Sequence, residues 1–142
     1  MKCKDCGTED QALHYRSGKM KLCYDCQNYA NLKTKATGGG VNFTREQFVA
    51  WKRADASRRS CAYCGISAAD LHKLGAVNVR TKKVYESIGV DRRDNTRPYT
   101  LDNLIPCCGP CNAIKGSILT DAEMMKVGKV LAKAWATRLG RV

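Results

Sequence analysis

The chain has 142 residues, enough for one main domain of ordinary size. Its 25 Lys and Arg against 13 Asp and Glu leave a formal charge of +12, which points to an acidic partner, nucleic acid first, and says nothing of fold. Nine cysteines are more than an ordinary reduced domain carries, and no apolar run reaches the roughly 18 residues that a membrane span needs.

The opening stretch MKCKDCGT has neither an apolar signal segment nor a small-residue cleavage site, so an intracellular, cytoplasmic protein with reduced thiols is expected. Its cysteines then read as metal ligands. Cys3 and Cys6, and later Cys23 and Cys26, form CxxC knuckles, whose tight turns each aim two sulfurs at a point about 2.3 Å away. Sixteen residues separate Cys6 from Cys23, the spacing of a four-cysteine zinc ribbon. Asp25 to Thr37 lacks Pro and Gly and predicts a short polar helix, ended at a hinge by Gly38 to Gly40. Thr44 at an N-cap, Gln47 three residues on, and a Phe43–Phe48 staple predict a second helix running to about Ala56. The basic pair Arg58, Arg59 leads into the third knuckle, Cys61 and Cys64.

The fourth knuckle, Cys108 and Cys111, is separated from Cys64 by 43 residues and completes a second tetrathiolate. Cys107 could replace Cys108, but CxxC geometry favours Cys108 and leaves Cys107 as a small buried apolar residue. A redox dithiol would need a single CxxC beside a βαβ pattern, which is not seen. Two structural Zn2+ per chain are therefore expected, and they take about four units off the formal charge. Between these knuckles, Val77 to Val90 reads as two short strands around a turn at Arg80 to Lys83, Leu101 to Pro106 as another strand, and NAIKG as a brief helix. A capping box at Thr120 and Glu123 opens the last helix, in which Met124, Val127, Val130, Leu131, Ala134, Trp135 and Leu139 follow the helical period. That face either docks on the chain's own core or, through Trp135, makes a dimer contact.

Three blocks carry the chemistry: DRRDN from Asp91, YTLDN from Tyr99 and CGPCNAIKG from Cys108. With CAYCG from Cys61 they resemble the zinc-stapled branch of the HNH nucleases, in order and in spacing. The resemblance implies the ββα-metal fold, two strands and a helix holding one divalent cation against a scissile phosphate. The N-terminal cysteine ribbon, FTREQFVAW, GVDRRD, CNAIKGSI and AEMMKVGKVLAKAW are also similar to a small HNH restriction endonuclease of nearly the same length. That likeness implies a homodimeric restriction enzyme, and it is poor at Gly38 to Asn42 and Leu71 to Glu86, where target-specific contacts would fit.

Hydrolysis of a phosphodiester builds negative charge on phosphate oxygens, which a hard cation with oxygen ligands stabilises. Asp91 supplies a carboxylate and Asn112 a neutral oxygen, a pair that suits Mg2+ (or Mn2+) because Mg2+ keeps several waters. Asn103 matches the middle asparagine of the signature and is expected to tie the loop in place. Lys115 either faces the phosphate or complements the helix dipole, while Arg93 and Arg97 are backbone contacts or solvated charge. Where the family places a histidine as general base this chain has Arg92, and a guanidinium cannot deprotonate water. Arg92 can instead clamp phosphate oxygens bidentately. Tyr63, His72 or a water on the cation could move the proton; Tyr63 ranks first because a zinc knuckle fixes it, whereas His72 and His14 read as lone surface histidines.

The expected protein is thus small, zinc-stabilised and α+β. Residues 1–37 form a four-cysteine zinc-binding region, 38–60 a linker and helix, 61–118 an HNH core with the second four-cysteine site, and 119–142 an amphipathic helix. The expected function is sequence-specific cleavage of double-stranded DNA at a palindrome by a homodimer of bacterial or phage origin. A mobile-element or phage nuclease with a longer asymmetric site is the rival enzyme. A zinc-ribbon DNA-binding protein without catalysis is the rival of another class.

Overall fold

The computed structural model describes residues 1–36 and 40–141, so the expected hinge at Gly38 and Gly39, like Thr37, lies outside the described residues. In chain order its elements are α1 (Tyr24–Lys35), α2 (Arg45–Ala54), α3 (Ala68–Leu74), β1 (Gly89–Arg92), β2 (Leu104–Cys107), α4 (Gly109–Lys115) and α5 (Asp121–Arg138). Both expected capping boxes are present: Thr44 and Gln47 close the start of α2, and Thr120 and Glu123 that of α5. Phe43 stacks on Phe48 with ring centroids 6.0 Å apart, which fixes the entry to α2.

The second knuckle of each cysteine cluster runs straight into a helix. Cys23 is the N-cap of α1 and Cys108 that of α4, with Cys26 and Cys111 in the following turn. Burial pushes the Cys23 thiol up to about 11, and the free amide groups of the helix start work against that burial. Among the described residues, the N-terminal knuckle is held by turns rather than paired strands: the Gly7 amide donates to the Cys3 carbonyl and the Cys23 amide to the Cys3 sulfur.

Strands β1 and β2 pair antiparallel, with Asp91 opposite Ile105 and Arg92 opposite Leu104. Successive side chains of a strand point to opposite faces, and here each face meets a different core. Ile105 and Cys107 pack with Cys61, Tyr63, Leu71 and Met124 around the second cysteine cluster. Leu104 packs with Leu32, Phe43, Phe48 and Val49 around the first. The hairpin is therefore wedged between two four-cysteine lobes, and α4 follows it to complete a ββα unit. The architecture is the small α+β one expected.

Several boundaries differ from expectation. The valine runs of 77–90 give no strand pair before β1, only a bridge between Val77 and Val84. Asn78 closes that loop by accepting the Arg80 and Thr81 amides, and Val79 is 83% exposed, so no sheet neighbour is available. Leu101–Asn103 is a 3-10 turn and the strand begins only at Leu104. Helix α3 was not expected, although Ser67, Asp70 and Gly75 are an N-cap, a capped third residue and a left-handed C-cap. On α5, Met124 is fully buried and Trp135 packs on the core, but Val130 is 69% exposed and leaves the apolar face. His14 is buried, not a surface residue, its Nδ1 2.7 Å from the Asp10 carbonyl.

Candidate active site and metal centres

Eight cysteines gather into two groups, Cys3, Cys6, Cys23, Cys26 and Cys61, Cys64, Cys108, Cys111, with the sulfurs of each group within 4.8 Å of one another. All nine are free of disulfides. The donor chemistry and spacing fit zinc: a tetrahedral ion at about 2.3 Å from sulfur sets sulfurs about 3.8 Å apart. Cys6 and Cys23 are 3.7 Å apart, as are Cys64 and Cys108. Cys107 is buried beside the second group and outside it. Arg53 reaches the first group from α2, its guanidinium 3.5 Å from the Cys6 sulfur and 3.7 Å from that of Cys23. The same side chain and Arg59 bind the fully buried carboxylate of Asp25. Burial pushes that carboxyl up, but Arg59 and then Arg53 outweigh it and hold it below the usual range.

The end of β1 carries the second constellation. Asp91 faces α4, where its Oδ2 lies 3.1 Å from the Lys115 ammonium. Asn112 precedes Lys115 by three residues on α4, one helical turn before the residue that meets Asp91. Asn112 is half-buried and Asp91 keeps limited exposure. A carboxylate and an amide oxygen are the kinds of ligand that suit a hard divalent cation with open positions.

Lys115 itself is corrected. Read from the sequence as a phosphate contact or a solvated helix end, it is fully buried and donates inward to Asp91, the Arg92 carbonyl and the Asn95 side chain. The seven residues of α4 are too few for the period to show which way the lysine points.

Asn103 is 1% exposed, and among the described residues its side chain bonds to the loop between β1 and β2. Its Oδ1 accepts the Asp94 amide, and its Nδ2 donates to the carbonyls of Asp94 and Pro98. Arg92 turns the other way from Asp91: its guanidinium lies 4.6 Å from the centre of the Tyr99 ring and donates to the Arg97 carbonyl. It lines an open cleft of about 490 Å³ together with Lys35, Thr96, Arg97 and Tyr99.

Tyr63 is buried in the third knuckle, and its hydroxyl donates to Asp121 Oδ1 at 2.8 Å. Burial, then that acceptor, push the phenol well above its ordinary pKa. The other Asp121 oxygen lies 3.4 Å from Arg93, which is itself exposed. Sequence reasoning missed Asp121, because at the first position of α5 an acid is already explained by the helix dipole. His72, expected at the surface, sits half-buried on α3.

The chain superposes on the rare-cutting HNH restriction endonuclease PacI with a TM-score of 0.86 and 34% sequence identity, covering 97% of each chain. The chain belongs to the HNH restriction endonuclease family. No family model matches it, and no curated protein does. For an HNH restriction endonuclease, the excess of 25 basic over 13 acidic residues has a ready partner in the DNA backbone. Among the described residues no helix is long and apolar enough to cross a membrane.

Proposed function

We propose that this HNH endonuclease cuts both strands of duplex DNA at a palindromic site, as a homodimer, with one divalent cation per active site held by Asp91 and Asn112. The observation that carries the reading is the contact of Asp91, on β1, with Lys115 on α4, one helical turn after Asn112. When bound, Mg2+ or Mn2+ would supply charge neutralisation for the phosphate undergoing attack. Arg92, held by the Arg97 carbonyl and the Tyr99 ring, clamps phosphate oxygens, and Arg93 contacts the DNA backbone. Asn103 keeps the loop in shape. Tyr63 receives the proton of the attacking water while its own hydroxyl proton passes to Asp121, the acceptor already in place. Residues 61–118 form the nuclease core in this reading, and residues 1–37 with the helix in 38–60 brace it. The C-terminal helix, 119–142, supplies Asp121.

Purified protein incubated with a large genomic DNA and Mg2+, followed by sequencing of the ends, tests this directly. Discrete ends at one palindrome are expected, and ends at a long asymmetric site would instead favour a mobile-element nuclease. Asp91→Ala is expected to lose at least about a thousandfold of cleavage with two zinc ions retained. Tyr63→Phe should also lose cleavage while His72→Ala keeps it; the reverse pattern would remove Tyr63 from its role. Cleavage that survives Asp91→Ala undiminished would refute the site itself.

A further inference from the structure

A lysine ammonium has three protons, and burying it is costly unless each finds an acceptor. Lys115, 0% exposed, has three: Asp91 Oδ2 at 3.1 Å, the Arg92 carbonyl at 2.9 Å and Asn95 Oδ1 at 3.0 Å. Its hydrogen-bonding capacity is used up inside the protein, so no N–H is left for DNA. Two of the acceptors belong to the end of β1 and the loop that leaves it, so the ammonium also fixes where that loop departs from Asp91. Among the described residues no hydrogen bond is made to Asp91 Oδ1.

We infer that Lys115 is a positioning residue that holds one oxygen of Asp91 and leaves the other to the catalytic cation, so that the site accepts Mg2+ and discriminates against Ca2+. The inference rests on the reading of Asp91 as a cation ligand. Mg2+ is small, octahedral and content with one carboxylate oxygen at about 2.0–2.1 Å; Ca2+ takes about 6–8 oxygens and readily uses both oxygens of a carboxylate. An acid whose second oxygen is bound by a buried ammonium cannot turn to offer both. A nearby positive charge would also weaken binding of any divalent cation, but it would weaken Mg2+ and Ca2+ alike because their charges are equal. The ratio of the two affinities therefore reports the locking of the carboxylate and not charge repulsion.

The test uses the full-length, zinc-loaded protein and the metals alone, without DNA. Mn2+ bound beyond the two zinc ions is followed by its electron paramagnetic resonance signal, and Mg2+ or Ca2+ is added as competitor. For Lys115→Met the affinity ratio is expected to move toward Ca2+ by at least about fivefold, with two zinc ions per chain unchanged. Should that variant fail to keep its zinc, Lys115→Arg is read by the same criterion, since it preserves the charge but cannot present three protons from one nitrogen. A ratio that stays within about twofold in the zinc-loaded variant overturns the inference and leaves Asp91 as a ligand. Wild-type protein that binds no Mn2+ beyond zinc, or Asp91→Ala that binds it as well as wild type, overturns the ligand reading itself.

Discussion

Asp25 shows what one residue can hold together. It is fully buried at the start of α1, yet its two oxygens receive Arg53 from α2 and Arg59 from the segment before the third knuckle. Arg53 in turn donates to two sulfurs of the first cysteine group, so a single carboxylate links that metal site to the approach of the second. Removing one partner of a buried ion pair leaves the other charges uncompensated, and Asp25→Asn is expected to cost about 3 kcal/mol of stability by thermal or denaturant unfolding. The pH dependence follows from the sign of the shift. A carboxyl held below its ordinary value of 3.8 contributes stability that is fully present above that value and is lost as pH falls through the lower, folded one. The gap between wild type and variant should therefore stay constant from about pH 8 down to about pH 5; a gap that closes within that window would contradict the assignment. Nothing in the local sequence marks Asp25, because its arginine partners lie 28 and 34 positions away.

At the scale of elements, α5 is more than a cover for the core. Gly128 brings the helix backbone against the third knuckle so closely that a Cβ there would lie 2.1 Å from the carbonyl oxygen of Tyr63. That contact and the bond from Tyr63 to Asp121 at the helix start set the phenol from two sides. Gly128→Ala must push backbone from backbone, since no flexible side chain can give way, and is expected to destabilise by about 1–3 kcal/mol. Because it also moves Tyr63, cleavage should fall under conditions where the variant is still folded with zinc bound. Unchanged melting temperature and unchanged cleavage would show that the helix does not hold the knuckle. The helix itself was legible from its capping box and period, since those are local. Its register against Tyr63 was not, because Gly128 reads in sequence only as a weak helix residue.

In the whole molecule two four-cysteine groups that fit zinc flank one short hairpin, and the core is divided into two small clusters around them. Apparent zinc contributions of ~10–16 kcal/mol per site match or exceed the ~5–15 kcal/mol net stability of a typical domain. A strong chelator is therefore expected to abolish cooperative unfolding and helical circular dichroism, with about two equivalents of zinc released per chain; a chelated protein that keeps its melting transition would mean that the cysteines hold no metal. What the sequence determined by itself was whatever is written in short spacings: the four knuckles, both capped helices, the basic excess and the order of the signature blocks. Only the tertiary structure decided which side chains share a face and which are buried. Lys115 turned inward on Asp91, Arg92 turned away from Asp91 toward Tyr99, and Asp121 met Tyr63 across 58 positions of chain. A strand end can aim a residue either way and a short helix carries little period, so those directions are set by the packing of the two lobes on the hairpin between them.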